Sequence, residues 1–213
     1  MNGQRGLTGK QPRIDPVPDR LKPKDLKAQT VNVPTKINGF RADELAQLQR
    51  TLSTEPGAAK FTLRARNLWI EGAQSINLVH SFHGMGREVG TRQTPFIQTT
   101  DTPQILLGKD LGPSPIEELL VALAGSVTTT LAYRASATNL TIQEIECDVE
   151  GDLNMHTAKA NEPEESASFE QIRVAVRVKA DASEEQLALF CKASPILNAL
   201  INPIPVTVTV KKS

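Results

Sequence analysis

The chain is poor in the residues that announce the commoner chemistries. It has two cysteines, three histidines, one tryptophan and one tyrosine in 213 residues. Two cysteines, with no apolar run after Met1, argue against a disulfide-built scaffold and a secretory signal. The expectation is a cytoplasmic protein. Lys plus Arg equals Asp plus Glu, 24 against 24, so the formal net charge is zero. A nucleic-acid partner is not expected, because such domains carry a basic surface. His80 and His83 lie an odd number of residues apart, which on a strand sends them to opposite faces. With only His156 besides, no metal site is expected, and no cofactor. Gly84 and Gly86 precede no helix, so they are turn glycines rather than a phosphate loop. Ser126, in Ala124-Gly125-Ser126-Val127-Thr128, lacks the strained elbow of the serine hydrolases.

One long apolar stretch stands out, residues 112–140, GPSPIEELLVALAGSVTTTLAYRASATNL. Ser114 is a good cap for a helix with Pro115 at its first position. Glu117 and Glu118 suit the positive end of the helix dipole. Beyond them the stretch is apolar on nearly every side, which predicts a central helix buried all round. It reads as too short, and too rich in alanine and threonine, for a membrane span of about 20 mostly apolar residues.

The remainder divides at about residue 60. Residues 1–59 read as an extension. Its first part is a solvated arm interrupted by Pro12, Pro16, Pro18, Pro23 and Pro34, and its second is a short amphipathic helix carrying Leu45, Leu48 and Leu52. Residues 60–213 read as the body. Alternation predicts strands over 60–69, 76–82, 88–97, 142–153, 169–179 and 206–210, with a short one at 105–107. The acidic segment with Glu162, Glu164 and Glu165 reads as a wet loop. Ser183 and Gln186 sign a second helix with the inward stripe Leu187, Phe190, Cys191 and Ser194, broken by Pro195. The order is that of an α+β domain.

Three segments carry a resemblance: TPFIQTTDTPQILLGKDLGPSPIEELLVALAGSVTTTLAYRA, IECDVEGDL, and DASEEQLALFCKASPILNALINPIPVTV. They resemble the OsmC-like family, which includes the organic hydroperoxide resistance proteins. The resemblance implies an intertwined homodimer, each subunit with a curved antiparallel sheet and a buried central helix, the two helices back to back. In active members two cysteines reduce organic hydroperoxides at the dimer interface. Here the position of the peroxide-attacking cysteine holds Ser126, and that of its partner holds Ser194. Peroxide reduction needs a thiolate that passes through sulfenic acid to a disulfide. A serine hydroxyl cannot follow that route, so peroxidase activity is not expected.

The site expected from the resemblance is therefore a pocket around Ser126 and Ser194, with Glu117, Arg87 and Arg92 as further pocket residues. A small hydrophobic ligand suits such a site. In the alternative reading, Cys191 lies one helical turn before Ser194 and takes over thiol chemistry on an organic hydroperoxide, with Cys147 as a candidate partner. Neither reading involves nucleic acid or a membrane.

Overall fold

A serine before a proline starts the longest helix, α2 (Pro115–Ala137). Ser114 Oγ accepts the Glu117 N–H at 3.3 Å, while Glu117 Oε2 accepts the N–H and hydroxyl of Ser114, both at 2.7 Å. This reciprocal box satisfies amides that the first helical turn leaves without partners. The computed structural model describes residues 36–155 and 167–212. Most of the proline-rich arm and the Glu162–Glu165 cluster lie outside them.

The helix is not buried all round. Leu123, Val127, Leu131 and Ala135, four residues apart, form one buried stripe, whereas Val121 is 68% exposed and Tyr133 is 40% exposed. The sequence marks α2 as apolar, but among the described residues the elements packed on it cover only one side. Nor is it too short for a membrane: its 23 residues, with a mean hydropathy of 1.2 over the most apolar 18-residue window, satisfy length and composition for a span. What marks it as a core helix is its packing against α1 (Ala42–Thr54), β8 (Ile142–Asn154), α3 (Glu184–Lys192) and α4 (Pro195–Ile201).

Beside α2 lies a long antiparallel ribbon, β8 (Ile142–Asn154) with β9 (Ser168–Ala180). Alternation gives it two faces. Ile145, Cys147, Val149, Val174, Val176 and Val178 share one face, on which a Cβ at Gly151 would touch Leu120 of α2. The other face is charged: Arg177 bridges Glu146 and Asp148, and Arg173 bridges Glu150 and Asp152. These exposed pairs contribute little stability individually. They keep the outer face wet.

Helix α3 (Glu184–Lys192) begins at Ser183, whose side chain accepts the Gln186 N–H, as its sequence indicates. Pro195 breaks it, and the chain then restarts as α4 (Pro195–Ile201), a helix the periodicity did not suggest. Ser194-Pro195 repeats the cap-then-proline device of Ser114-Pro115.

Earlier in the chain, β1 (Lys36–Ile37) and β2 (Phe40–Arg41) form a tiny hairpin through Asn38 and Gly39, both at positive φ. Helix α1 (Ala42–Thr54) follows, with Leu45 buried. Asn38 ties this segment to the far end of α2. Its amide donates to Ser136 Oγ at 3.0 Å and to the Leu140 carbonyl at 2.8 Å, and its Oδ1 accepts the Ile142 N–H at 2.7 Å.

A three-stranded antiparallel sheet is ordered β3 (Arg66–Glu71), β4 (Gln74–Val79), β7 (Phe96–Thr100). A hairpin of β5 (Phe82–Gly84) and β6 (Arg87–Val89) lies between β4 and β7 in sequence. The first predicted strand thus begins at Arg66 rather than residue 60, and residues 105–107 overlap a 3-10 turn (Gln104–Leu106) instead of forming a strand. The valine–threonine alternation at 206–210 forms no strand here; Val206, Val208 and Val210 are exposed. The architecture is mixed helix and strand with open antiparallel sheets.

Candidate functional site

The junction between α3 and α4 meets the middle of α2 through two hydroxyls. Ser126 Oγ and Ser194 Oγ lie 2.8 Å apart in a hydrogen bond. Ser194 is 0% exposed. As the N-cap of α4, its Oγ also accepts the Leu197 N–H at 3.2 Å. The Ile196 N–H points at Ser126 Oγ from 3.5 Å. The cap-and-proline break turns Ser194 inward, and the α2 register brings Ser126 to meet it across 68 residues of sequence. The two positions singled out in the sequence are thus neighbours, and each hydroxyl has a partner.

Alongside is a cavity of about 670 Å³, lined by Val127, Val174, Val176, Val178, Leu187 and Cys191, among others. Glu184 and Lys192 stand on its rim. Its size is that of a small-molecule site. Neither Ser126 nor Ser194 lines it, but their sequence neighbours Val127 and Leu197 do. It is a half-open groove between β9 and α3, next to the serine pair.

Both thiols belong to this neighbourhood. Cys191 faces the groove, and Cys147 lies opposite the groove residue Val176 in the β8–β9 ladder. They are free and half-buried. Burial pushes the Cys147 thiol up, Asp148 adds to the rise, and a hydrogen bond with Thr128 opposes it. Burial likewise raises Cys191, and Cys147 reinforces the shift. Ionisation of Cys191 is thus disfavoured both by its burial and by the neighbouring Cys147. A thiol held protonated is a poor nucleophile.

The other expected pocket residues have different surroundings within one chain. The Glu117 carboxylate is engaged by Ser114, whose hydrogen bonds hold it below the usual carboxylate range. Arg87 is exposed on β6. Arg92 donates to the His80 carbonyl at 2.9 Å and lies over the rings of Phe82 and Phe96, at 5.7 and 4.8 Å. None of the three lines the groove. A residue that sequence reasoning assigned only to the helix dipole is Glu118. Its Oε1 is buried without a hydrogen-bond partner, and burial raises its carboxyl. Among the described residues no group of three or more His, Cys, Asp or Glu is placed to hold a metal.

Chemically, the arrangement offers an apolar groove, a self-satisfied pair of hydroxyls and two protonated thiols.

The family model for OsmC-like protein matches residues 108–209, which include α2, the ribbon, α3 and α4. Similar solved structures include an OsmC-like protein from Mycoplasma pneumoniae, at 18% identity over 67% of this chain and 89% of that one, TM-score 0.47. Another is an organic hydroperoxide resistance protein OsmC from Legionella pneumophila, at 16% identity over 66% and 90%, TM-score 0.46. A third, described as an osmotic stress induced and detoxification response protein from Psychrobacter arcticus, has 13% identity over 65% and 88%, TM-score 0.49. None of the curated proteins matches the chain.

Proposed function

Because residues 108–209 form an OsmC-like domain, we propose that this protein has given up the family's thiol chemistry and acts as a binding or regulatory module for a small hydrophobic ligand. The observation that carries the reading is the 2.8 Å hydrogen bond between Ser126 and Ser194. The resemblance puts the family's two cysteines at these positions. Two hydroxyls there keep the contact but cannot form a sulfenic acid or a disulfide. The apolar groove beside them supplies the ligand's place.

The working unit is a homodimer in the cytoplasm, with neither nucleic acid nor membrane as partner. A single chain leaves Leu68, Trp69, Ile70, Phe96, Ile97 and the three valines of residues 206–210 in water. Apolar surface on that scale calls for a cover, and a second copy supplies one. Exchange of the β3–β4–β7 sheet between copies would also carry Arg87 and Arg92 to a new neighbourhood.

The test is consumption of cumene hydroperoxide with a dithiol reductant. Wild type should stay at background, and the Ser126→Cys/Ser194→Cys double variant should exceed it at least tenfold. One observation favours a second reading, a relocated thiol peroxidase: Cys191 faces the groove with Cys147 as its neighbour. If wild type consumes peroxide and Cys191→Ser does not, that second reading replaces the first.

A further inference from the structure

Asn38 has two duties that pull against each other. With Gly39 it makes the turn of the β1–β2 hairpin, and both residues sit at positive φ, +49° and +87°. Asparagine and glycine take those positions most readily, as the twist of a two-residue hairpin requires. The same side chain ties the hairpin to the far end of α2. Its Nδ2 donates to Ser136 Oγ at 3.0 Å and to the Leu140 carbonyl at 2.8 Å, while its Oδ1 accepts the Ile142 N–H at 2.7 Å. Ser136 is itself buried, and its hydroxyl lies 2.7 Å from the Ala132 carbonyl and 3.2 Å from that of Ile37. The joint is a closed network held through one amide.

Asparagine followed by glycine is also the dipeptide most open to deamidation, because glycine has no side chain to shield its backbone nitrogen. The Gly39 nitrogen bonds to Asn38 Cγ, the Cγ–Nδ2 bond breaks, and ammonia leaves with the Gly39 proton. Water then opens the cyclic imide at either carbonyl, leaving an aspartate or an isoaspartate. Gly39 is exposed, and nothing stands within 4 Å of the place a Cβ would occupy, so solvent reaches the reacting bond. What opposes the reaction is the joint. With both ends of the amide tied across the fold, Cγ turns back onto its own main chain only after those hydrogen bonds part.

We propose that the Asn38-Gly39 pair is a modification site whose deamidation unlatches the β1–β2 hairpin and α1 from the end of α2, at a rate set by opening of the joint. Either product loses both amide donors. A carboxylate oxygen then faces the Leu140 carbonyl where an N–H group stood, and that contact is repulsive. An isoaspartate also adds a methylene to the main chain inside the turn, which the pairing of Ile37 with Phe40 does not accommodate. The change needs neither a ligand nor a second copy, and it accumulates with the time the joint spends open.

The test compares wild type with Ser136→Ala, each incubated in neutral buffer, folded and in urea, then digested with trypsin. Residues 37–41 form one tryptic peptide with a single asparagine, separate from the sequence's other Asn-Gly pair, Asn2-Gly3. Mass spectrometry reads the exchange of amide for carboxyl in that peptide. Folded wild type should deamidate there more slowly than the same chain in urea. Ser136→Ala should raise the folded rate about fivefold, the factor one lost hydrogen bond is worth in an opening equilibrium, and leave the rate in urea unchanged. Equal folded rates for the two proteins, a folded rate as fast as that in urea, or no modified peptide from either folded chain would overturn the proposal. Asn38→Asp gives a second readout. Hydrogen exchange across α1 should quicken in it while the β8–β9 ribbon keeps its wild-type rates, and exchange in α1 as slow as in wild type would overturn the unlatching.

Discussion

Residues 112–201 and residues 66–100 carry apolar residues at comparable regularity, yet the two regions end differently. In the first, the Leu123–Val127–Leu131–Ala135 stripe of α2 is closed off by α1, the ribbon, α3 and α4. In the second, the register of β3, β4 and β7 gathers Leu68, Ile76, Leu78 and Ile97 on one face, and Leu68 and Ile97 remain exposed. Both follow the same rule, in which a periodic apolar face demands a cover. The difference is that local chain folding covers the first, whereas among the described residues no helix packs broadly against the second. An amphipathic pattern states that a face will be covered, not by which molecule.

Two truncations separate these cases, and one of them carries the largest effect expected. Leu131→Ala deletes a fully buried side chain and should cost about 2–5 kcal/mol at every protein concentration. If the proposed homodimer covers the sheet, Leu68→Ala should cost almost nothing in dilute protein and become destabilising as concentration rises. Urea denaturation at two widely separated concentrations checks both. An equal cost for Leu68→Ala at both concentrations would mean that the sheet is not covered by dimerisation.

A smaller effect sharpens the boundary of the self-contained region. Asn38 is the joint between the β1–β2 hairpin, the end of α2 and the start of β8. Asn38→Ala would leave the Ile142 N–H and the Leu140 carbonyl without partners, at a cost of about 1–3 kcal/mol. Hydrogen exchange should quicken first at the Ile142 amide. Exchange unchanged there would show that water replaces the side chain.

The contrast also explains what could be read from the sequence. Helix α2, both ribbon strands, the Ser183 cap and the break at Pro195 depend on residues within a turn or two, and local pattern located them. Ser126 and Ser194 were found through a motif, and the structure joins them across 68 residues. The restart at α4 was legible in principle, since Ser194-Pro195 repeats the signal at Ser114-Pro115. The Asn38 joint was not, because a single asparagine at a hairpin turn gives no hint of partners about 100 residues away. The cover expected around α2 failed for the reason that governs the open sheet: composition fixes how much surface is apolar, not how many chains share in burying it.

The smallest effect is a slope with pH, and it tests whether the loop around Asp101 belongs to the self-contained region. Burial works against ionisation of Asp101, but the N–H groups of Thr102, Leu111 and Lys109, with the Lys109 charge, outweigh it and lower its carboxyl. A lowered folded value contributes stability that is present above the unfolded value of about 3.9 and is lost as pH falls through the folded one. Glu118 has the opposite sign. Burial raises its carboxyl, so its contribution is present below the unfolded value of about 4.3 and is lost as pH rises toward the folded one. The two partly cancel in wild type near pH 4. Urea midpoints between pH 3 and 6, for wild type, Asp101→Asn and Glu118→Gln, separate them. Asp101→Asn should flatten the acid side of the profile, and Glu118→Gln should steepen it. If the wild-type and Asp101→Asn profiles run parallel, the loop's geometry does not depend on that carboxylate's charge, and the backbone hydrogen bonds of Gly108 to Pro103 and Asp110 to Thr102 must hold it instead.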